Sequence, residues 1–338
     1  MLDNAWIIPL IPAASFFLIL FLGKRLPRKG SEIGIAAVGI AFVLAIATNV
    51  QWFDHVNNPP EHGSDTHSEE EAPAEAEGEG EHGLAVTIDG ESAAPATATA
   101  PAAEEEEVHE VEPVERSWTW FEIGGREFDV GMLLDGPAVM MLFVVTLVSL
   151  LVHVYSTDYV HGDRRYTHFF AFLSLFTASM LGLVMAKTTL QLIICWELVG
   201  VCSFVLIGHW WEEKANSDAA LKAFITNRVG DVGLIVGVIV LFWAAGGTFD
   251  ILEINTAALD GTISHLALLV ASCSLIAAVM SKSGQFILHV WLPDAMAGPT
   301  PVSALIHAAT MVVAGVYMIG RLFTIFEGSE QALLVVAI

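Results

Sequence analysis

Eight stretches of about twenty mostly apolar residues run through this chain, each long enough to cross a hydrocarbon layer about 30 Å thick as a helix. They lie near residues 5 to 23, 32 to 53, 132 to 156, 167 to 187, 189 to 210, 218 to 245, 264 to 292 and 302 to 323, and a ninth begins at 331. In lipid every backbone polar group must find its partner inside the protein, so continuous apolar runs of this length specify helices. The expected fold is therefore an all-α polytopic membrane protein with eight complete transmembrane helices and a truncated ninth. Its 338 residues are 54% hydrophobic and 15% charged, with a mean hydropathy of +0.62, a balance that excludes a soluble globular protein.

The net charge of -24 is concentrated in one place. Residues 54 to 115 hold 19 of the 38 acids and none of the 14 bases. This divides the chain into two N-terminal helices at 1–53, an acidic insertion at 54–115, a short β-hairpin at 116–131 and a transmembrane domain at 132–338. Runs such as EEEAPAEAEGEGEHG bury too little apolar surface to offset the entropy of ordering, so the insertion is expected to be disordered. Its His55, His62, His67, His82 and His109 are irregularly spaced, the pattern of a solvated tail more than of a cation site. The hairpin is read from apolar alternation around Gly124 and Gly125.

Lysine and arginine set the expected orientation. Lys24, Arg25, Arg28 and Lys29 follow span 1, Arg164 and Arg165 follow span 3, and Lys214 and Lys222 follow span 5. These loops share one side, taken as cytoplasmic, which puts the N-terminus and the acidic insertion outside a bacterial cell membrane. Asp3 precedes the first apolar run and the cations follow it, the reverse of a cleaved signal peptide. Cys195, Cys202 and Cys273 lie in apolar runs without metal-ligand spacing and read as buried structural thiols.

Ionisable groups at bilayer depth cost roughly 2.5 to 3.5 kcal/mol on insertion scales, so they face the protein interior or water and carry function. Span 5 has Glu197 near its centre with no cation within a helical turn, so it must protonate or meet a cation from another helix. Span 6 places Arg228 and Asp231 at i and i+3, which makes an internal charge pair. Span 7 carries Lys282, with Gln285 at i+3 and His289 at i+7 forming a polar stripe toward a cytoplasmic entry. A lysine desolvated in this way can lose its proton near neutral pH. Ser281, Ser283 and Gly284 beside it, in a span of about 29 residues, predict an interrupted helix whose freed backbone groups line water. Span 8 aligns Ser303, His307, Thr310 and Ala314 on one face, as a relay would. With no nucleotide loop, cysteine cluster, haem motif or nucleophile triad, the chemistry implied is transfer of protons or another small cation.

The segments WELVGVCSFVLIGHW, KAFITNRVGDVGL and WLPDAMAGPTPVSALIHAATMVVAGVYMI closely resemble the distal antiporter-like subunit, subunit L, of bacterial respiratory complex I. The resemblance covers nearly everything outside residues 54 to 115. It implies an antiporter-like bundle built from inverted repeats of five helices, the first at spans 4 to 8. It also implies a subunit without a redox centre or bound cofactor, embedded among the other membrane subunits of complex I in the lipid bilayer. Protons would move through it while NADH, FMN, iron-sulfur clusters and quinone work on partner subunits, and nucleic acid has no part. Matched motif by motif, Glu197 and Lys282 become a charge pair, Arg228 and Asp231 the pair of the TRVGD motif, and His307 the histidine that passes protons inward.

Two departures from the family stand out. Ile287 occupies the position, five residues after the lysine, where the family commonly has a helix-breaking proline, so restoring proline is expected to leave activity intact or raise it. The chain also stops at Ile338 inside an apolar run, where the family continues through a second repeat and a lateral helix, which predicts a fragment. The rival readings are the homologous large subunit of a multisubunit sodium/proton antiporter and a non-transporting membrane scaffold.

Overall fold

The computed structural model describes residues 1–58 and 111–337. The expected disorder of the acidic insertion lies outside the described residues, apart from its edges. The helix before it runs four residues past the anticipated boundary at 53.

Helices α1 (Ile7–Leu22) and α2 (Ser31–Asn57) pack side by side. The hairpin follows as β1 (Val114–Ile123) and β2 (Arg126–Leu134), antiparallel and longer than 116–131. Gly124 and Gly125 have φ of +62° and +76°, the two positive values that a two-residue turn matching the strand twist requires. Arg126 clamps the turn to the next layer by donating to the carbonyls of Gly246 and Gly247 at 3.0 and 2.9 Å, and Trp118 packs edge-on against Trp6.

Helices α3 (Gly136–Tyr159), α4 (Tyr166–Val184), α5 (Thr189–Ile207) and α6 (Lys214–Ala244) then cross in alternation. Asp135 caps α3 through the Ala138 amide, and Thr188 caps α5 through that of Gln191. A short helix, α7 (Ile251–Leu259), lies on the hairpin side and leads into α8 (His265–Lys282). Two 3-10 turns follow, then α9 (Thr300–Ala308), α10 (Met311–Arg321), α11 (Phe323–Glu327) and the start of the ninth run, α12 (Glu330–Ala337). Among the described residues eight segments are long and apolar enough to span a membrane, α9 and α10 counting as one. The chain is a multi-pass membrane protein.

Two expected spans are broken. Span 7 ends at Lys282, not 292: Ser283 leaves helical geometry, Gly284 has φ +60° and Ile287 φ +78°. Span 8 breaks between Ala308 and Met311, with Thr310 at φ -133°, ψ -98°.

Candidate functional site

The close packing of α6 on α8 sets the depth of the site. Gly230, Gly233 and Gly237 form a bare strip on α6, and a methyl at Gly230 or Gly233 would collide with Ser281 or with the Ser274 carbonyl. Small residues let the two backbones approach closely, the usual means of holding helices together in lipid. This contact brings Lys282, at the last turn of α8, level with the middle of α6 and α5.

Lys282 is fully buried. Its Nζ donates to the Trp196 carbonyl at 3.1 Å and lies 5.0 Å from the centroid of that indole. Trp196 Nε1 in turn donates to Asp231 at 2.6 Å. Among the described residues Lys282 has no ion-pair partner, so its charge rests on a carbonyl dipole and a π-face.

Arg228 occupies the gap between the carboxylates. It pairs with Glu197 across α5, and its Nη1 lies 3.5 Å from Asp231 on its own helix. Its Nε and Nη2 are buried without hydrogen bonds. At Gly200 an added methyl would meet both the Arg228 guanidinium and, at 3.2 Å, Lys282 Nζ, so the glycine leaves room for two cations to lie close together.

This arrangement corrects the reading of Glu197. The cation it meets is Arg228, not Lys282, and the expected Glu197–Lys282 pair is absent among the described residues, because the α5–α6 packing reaches the carboxylate first. The Arg228–Asp231 pair is present but forms one edge of a three-membered cluster.

The proposed entry stripe is not formed. Gln285 and His289 are both exposed on the bundle surface, and the His289 ring stacks with Phe286. Spacings of three and seven residues align side chains only while a helix continues, and this one ends at Lys282. The face in span 8 is likewise interrupted. Ser303 and His307 share α9, but Thr310 sits in the break, where its hydroxyl donates to the Leu305 carbonyl at 2.5 Å. Both ring nitrogens of His307 and the hydroxyl of Ser303 are buried without partners. His307 faces Trp291 at 6.2 Å between ring centroids, and Trp291 Nε1 donates to Ser281 O at 2.8 Å, one residue before Lys282.

Among the buried polar groups that the sequence did not single out is a histidine in α3. His153 is fully enclosed, with Nδ1 2.8 Å from the Ser149 carbonyl and Nε2 3.4 Å from the Ser174 hydroxyl. A histidine flanked by Ser149 and Ser156 inside an apolar run was the available signal.

Residues 186–338 match the family described as NADH:quinone oxidoreductase/Mrp antiporter, TM, and residues 120–170 match NADH-Ubiquinone oxidoreductase (complex I), chain 5 N-terminus. Two separate parts of the chain are thus similar to antiporter-like membrane subunits. The NAD(P)H-quinone oxidoreductase chain 5 of Synechocystis sp. is 48% identical over 213 residues, covering 62% of this chain and 31% of the relative. The chloroplastic subunit 5 of Anthoceros angustus is 47% identical over 216 residues, covering 62% and 29%. The chain thus spans about a third of the length of the curated relatives it matches. Two solved structures share the antiporter-like fold. The Mrp complex from Dietzia sp. has a TM-score of 0.65 at 23% identity, over 93% of this chain and 28% of that one. The archaeal membrane-bound sulfane sulfur reductase has 0.66 at 18%, over 95% and 41%.

Proposed function

We propose that this chain carries a proton path in the membrane part of a proton-translocating NAD(P)H:quinone oxidoreductase, with quinone reduction performed by partner subunits. The observation that carries the reading is Lys282, an ammonium enclosed at the end of a broken helix with no counter-ion among the described residues. A scaffold needs paired charges to lock helices, and Glu197, Arg228 and Asp231 supply such a lock. It has no use for an unpaired lysine beside it.

In this reading Lys282 takes and releases the transported proton at Nζ, with the Trp196 carbonyl holding the charged form. Arg228 sets its charge state. When the guanidinium, which already lies against Gly200, lets go of Glu197 and turns toward Lys282, its positive charge drives the proton off; when it pairs with Glu197 again, the lysine can be recharged. His307, behind Trp291, is the next acceptor toward the second half of the path. Protons enter from the side that carries the basic loops. That side is the cytoplasmic one in a bacterial membrane, with the N-terminus and the acidic insertion opposite. NADH, FMN, iron-sulfur clusters and quinone belong to the partner subunits.

The test is proton pumping by the complete complex carrying Lys282→Ala, at matched assembly. Pumping is expected to fall by on the order of tenfold or more, with coupled quinone reduction falling beside it. Unchanged pumping would remove Lys282 from the path. Pumping that stops when sodium alone is withdrawn would transfer the reading to a sodium/proton antiporter.

A further inference from the structure

Away from the membrane interior, the loops joining α1 to α2 and α3 to α4 meet in a cleft of about 380 Å³. Lys24, Lys29, Arg164 and Arg165 line it, with Trp211 at its edge, and no carboxylate contributes to its wall. Among the described residues Lys24, Lys29 and Arg164 have no ion-pair partner, and the nearby Glu212 is already engaged by Arg165. Four cations gathered around one hollow repel one another, and the fold holds them there.

The walls are fixed in advance. Lys29 has φ +51°, an unfavourable backbone for a lysine, and the Thr167 hydroxyl pins it by donating to its carbonyl at 2.9 Å. Arg165 donates to the His209 carbonyl at 2.7 Å and stacks 3.7 Å from the Trp211 ring centroid. The start of α4, which no side chain caps, adds the positive end of a helix dipole.

We propose that this cleft binds the phosphate of an anionic phospholipid headgroup. The position favours a lipid over a soluble anion. The cleft lies where four spanning helices leave the hydrocarbon, and a second cleft of about 500 Å³ shares Lys29 and Tyr166 with it. That second cleft carries Arg28, Ser31 and His161 beside Lys29 and reaches Ile35 of α2 and Val154 of α3, so a headgroup phosphate at Lys29 has polar groups around it and apolar side chains of the spanning helices next to it. Basic pockets at the ends of spanning helices are the general means by which membrane proteins hold anionic lipids.

The test uses the full-length protein in its complex, delipidated and returned to phosphatidylcholine vesicles with or without phosphatidylglycerol. Retained phosphatidylglycerol is counted by native mass spectrometry. The triple substitution Lys24→Gln, Lys29→Gln, Arg164→Gln is expected to weaken retention roughly fivefold for each charge removed. Lys29→Arg should keep it, and Lys214→Gln, which removes a cation outside the cleft, should leave it unchanged. Equal retention by the wild type and the triple variant overturns the proposal. So does full displacement of the lipid by inorganic phosphate, which would make the site one for a soluble anion. Crosslinking of Lys29 to an acidic side chain of a neighbouring subunit would do the same, by assigning the cleft to a protein contact.

Discussion

Arg228 serves two carboxylates, and only one of them is visible along its own helix. Asp231 at i+3 can be found by counting, whereas Glu197 lies 31 residues earlier in the chain and meets Arg228 only because α5 packs on α6. Lys282 was legible for the opposite reason: a charge inside an apolar run is conspicuous in one dimension. Ile287 shows what a motif comparison overlooks. Its φ of +78° lies outside the range a proline ring permits, so proline is excluded here although the resemblance led to expecting it. A β-branched residue in that region is strained by about 1 to 2 kcal/mol, and Ile287 is 65% exposed, so it recovers little by burial. Ile287→Gly is expected to hold or raise the melting temperature of the detergent-solubilised complex, a net gain of up to about 1 kcal/mol after glycine's own entropy cost. Ile287→Pro should lower it, contrary to the expectation drawn from the family. A melting temperature that rises with proline would show that the segment adopts another backbone.

Among the elements, α6 and α8 carry the site because three glycines remove the side chains that would separate them. Gly233→Leu drives a side chain into the Ser274 carbonyl, where α8 can yield only by moving away. The expected outcome is a loss of about 1 to 3 kcal/mol of stability. Pumping should fall as well, since Lys282 leaves its carbonyl partner; thermal melts and the pumping ratio of the assembled complex measure the two effects. The same change at Gly39, where a methyl finds only ordinary contact with Leu150, should do far less. The break after Lys282 was foreshadowed by Ser283 and Gly284, small residues at a depth where helices seldom need them. The second break, at Ala309 and Thr310, carried no such signal, and the helical alignment of Ser303 with Ala314 concealed it.

For the molecule as a whole, contacts among loops put the basic segments on one face. Thr167 binds the α1–α2 loop, Arg165 binds Glu212 after α5, and Lys222 reaches Asp294 at 2.6 Å. The hairpin closes the opposite face through Lys187, which lies 2.8 Å from Glu115 and 3.4 Å from Asp250. Burial opposes the Lys187 charge, but these two partners outweigh it and raise its pKa above the usual 10.5. Its stabilising contribution is therefore fully present below 10.5 and is lost only as pH rises through the raised value. On the basic face the sign reverses. Burial lowers the pKa of His209 below 6.5 despite Asp163 3.3 Å away, so the folded protein refuses a proton that the unfolded chain accepts. Stability should decline as pH falls below 6.5, and His209→Gln should flatten that decline in melting curves recorded across pH. An unchanged slope in the variant would assign the acid sensitivity to other groups.

The sequence alone determined the membrane class, the number of spans, the hairpin and the buried charges, because a bilayer turns apolar length and misplaced charge into one-dimensional signals. It also carried the shared side of the basic loops, through the alternation of spans. Tertiary structure decided which charges meet, since the α5–α6 contact pairs Glu197 with Arg228 and leaves Lys282 against Trp196. It decided as well where the helices stop. A helical periodicity can be counted past the point where the backbone turns away, and only packing against neighbouring helices shows that Gln285 and His289 lie beyond that point.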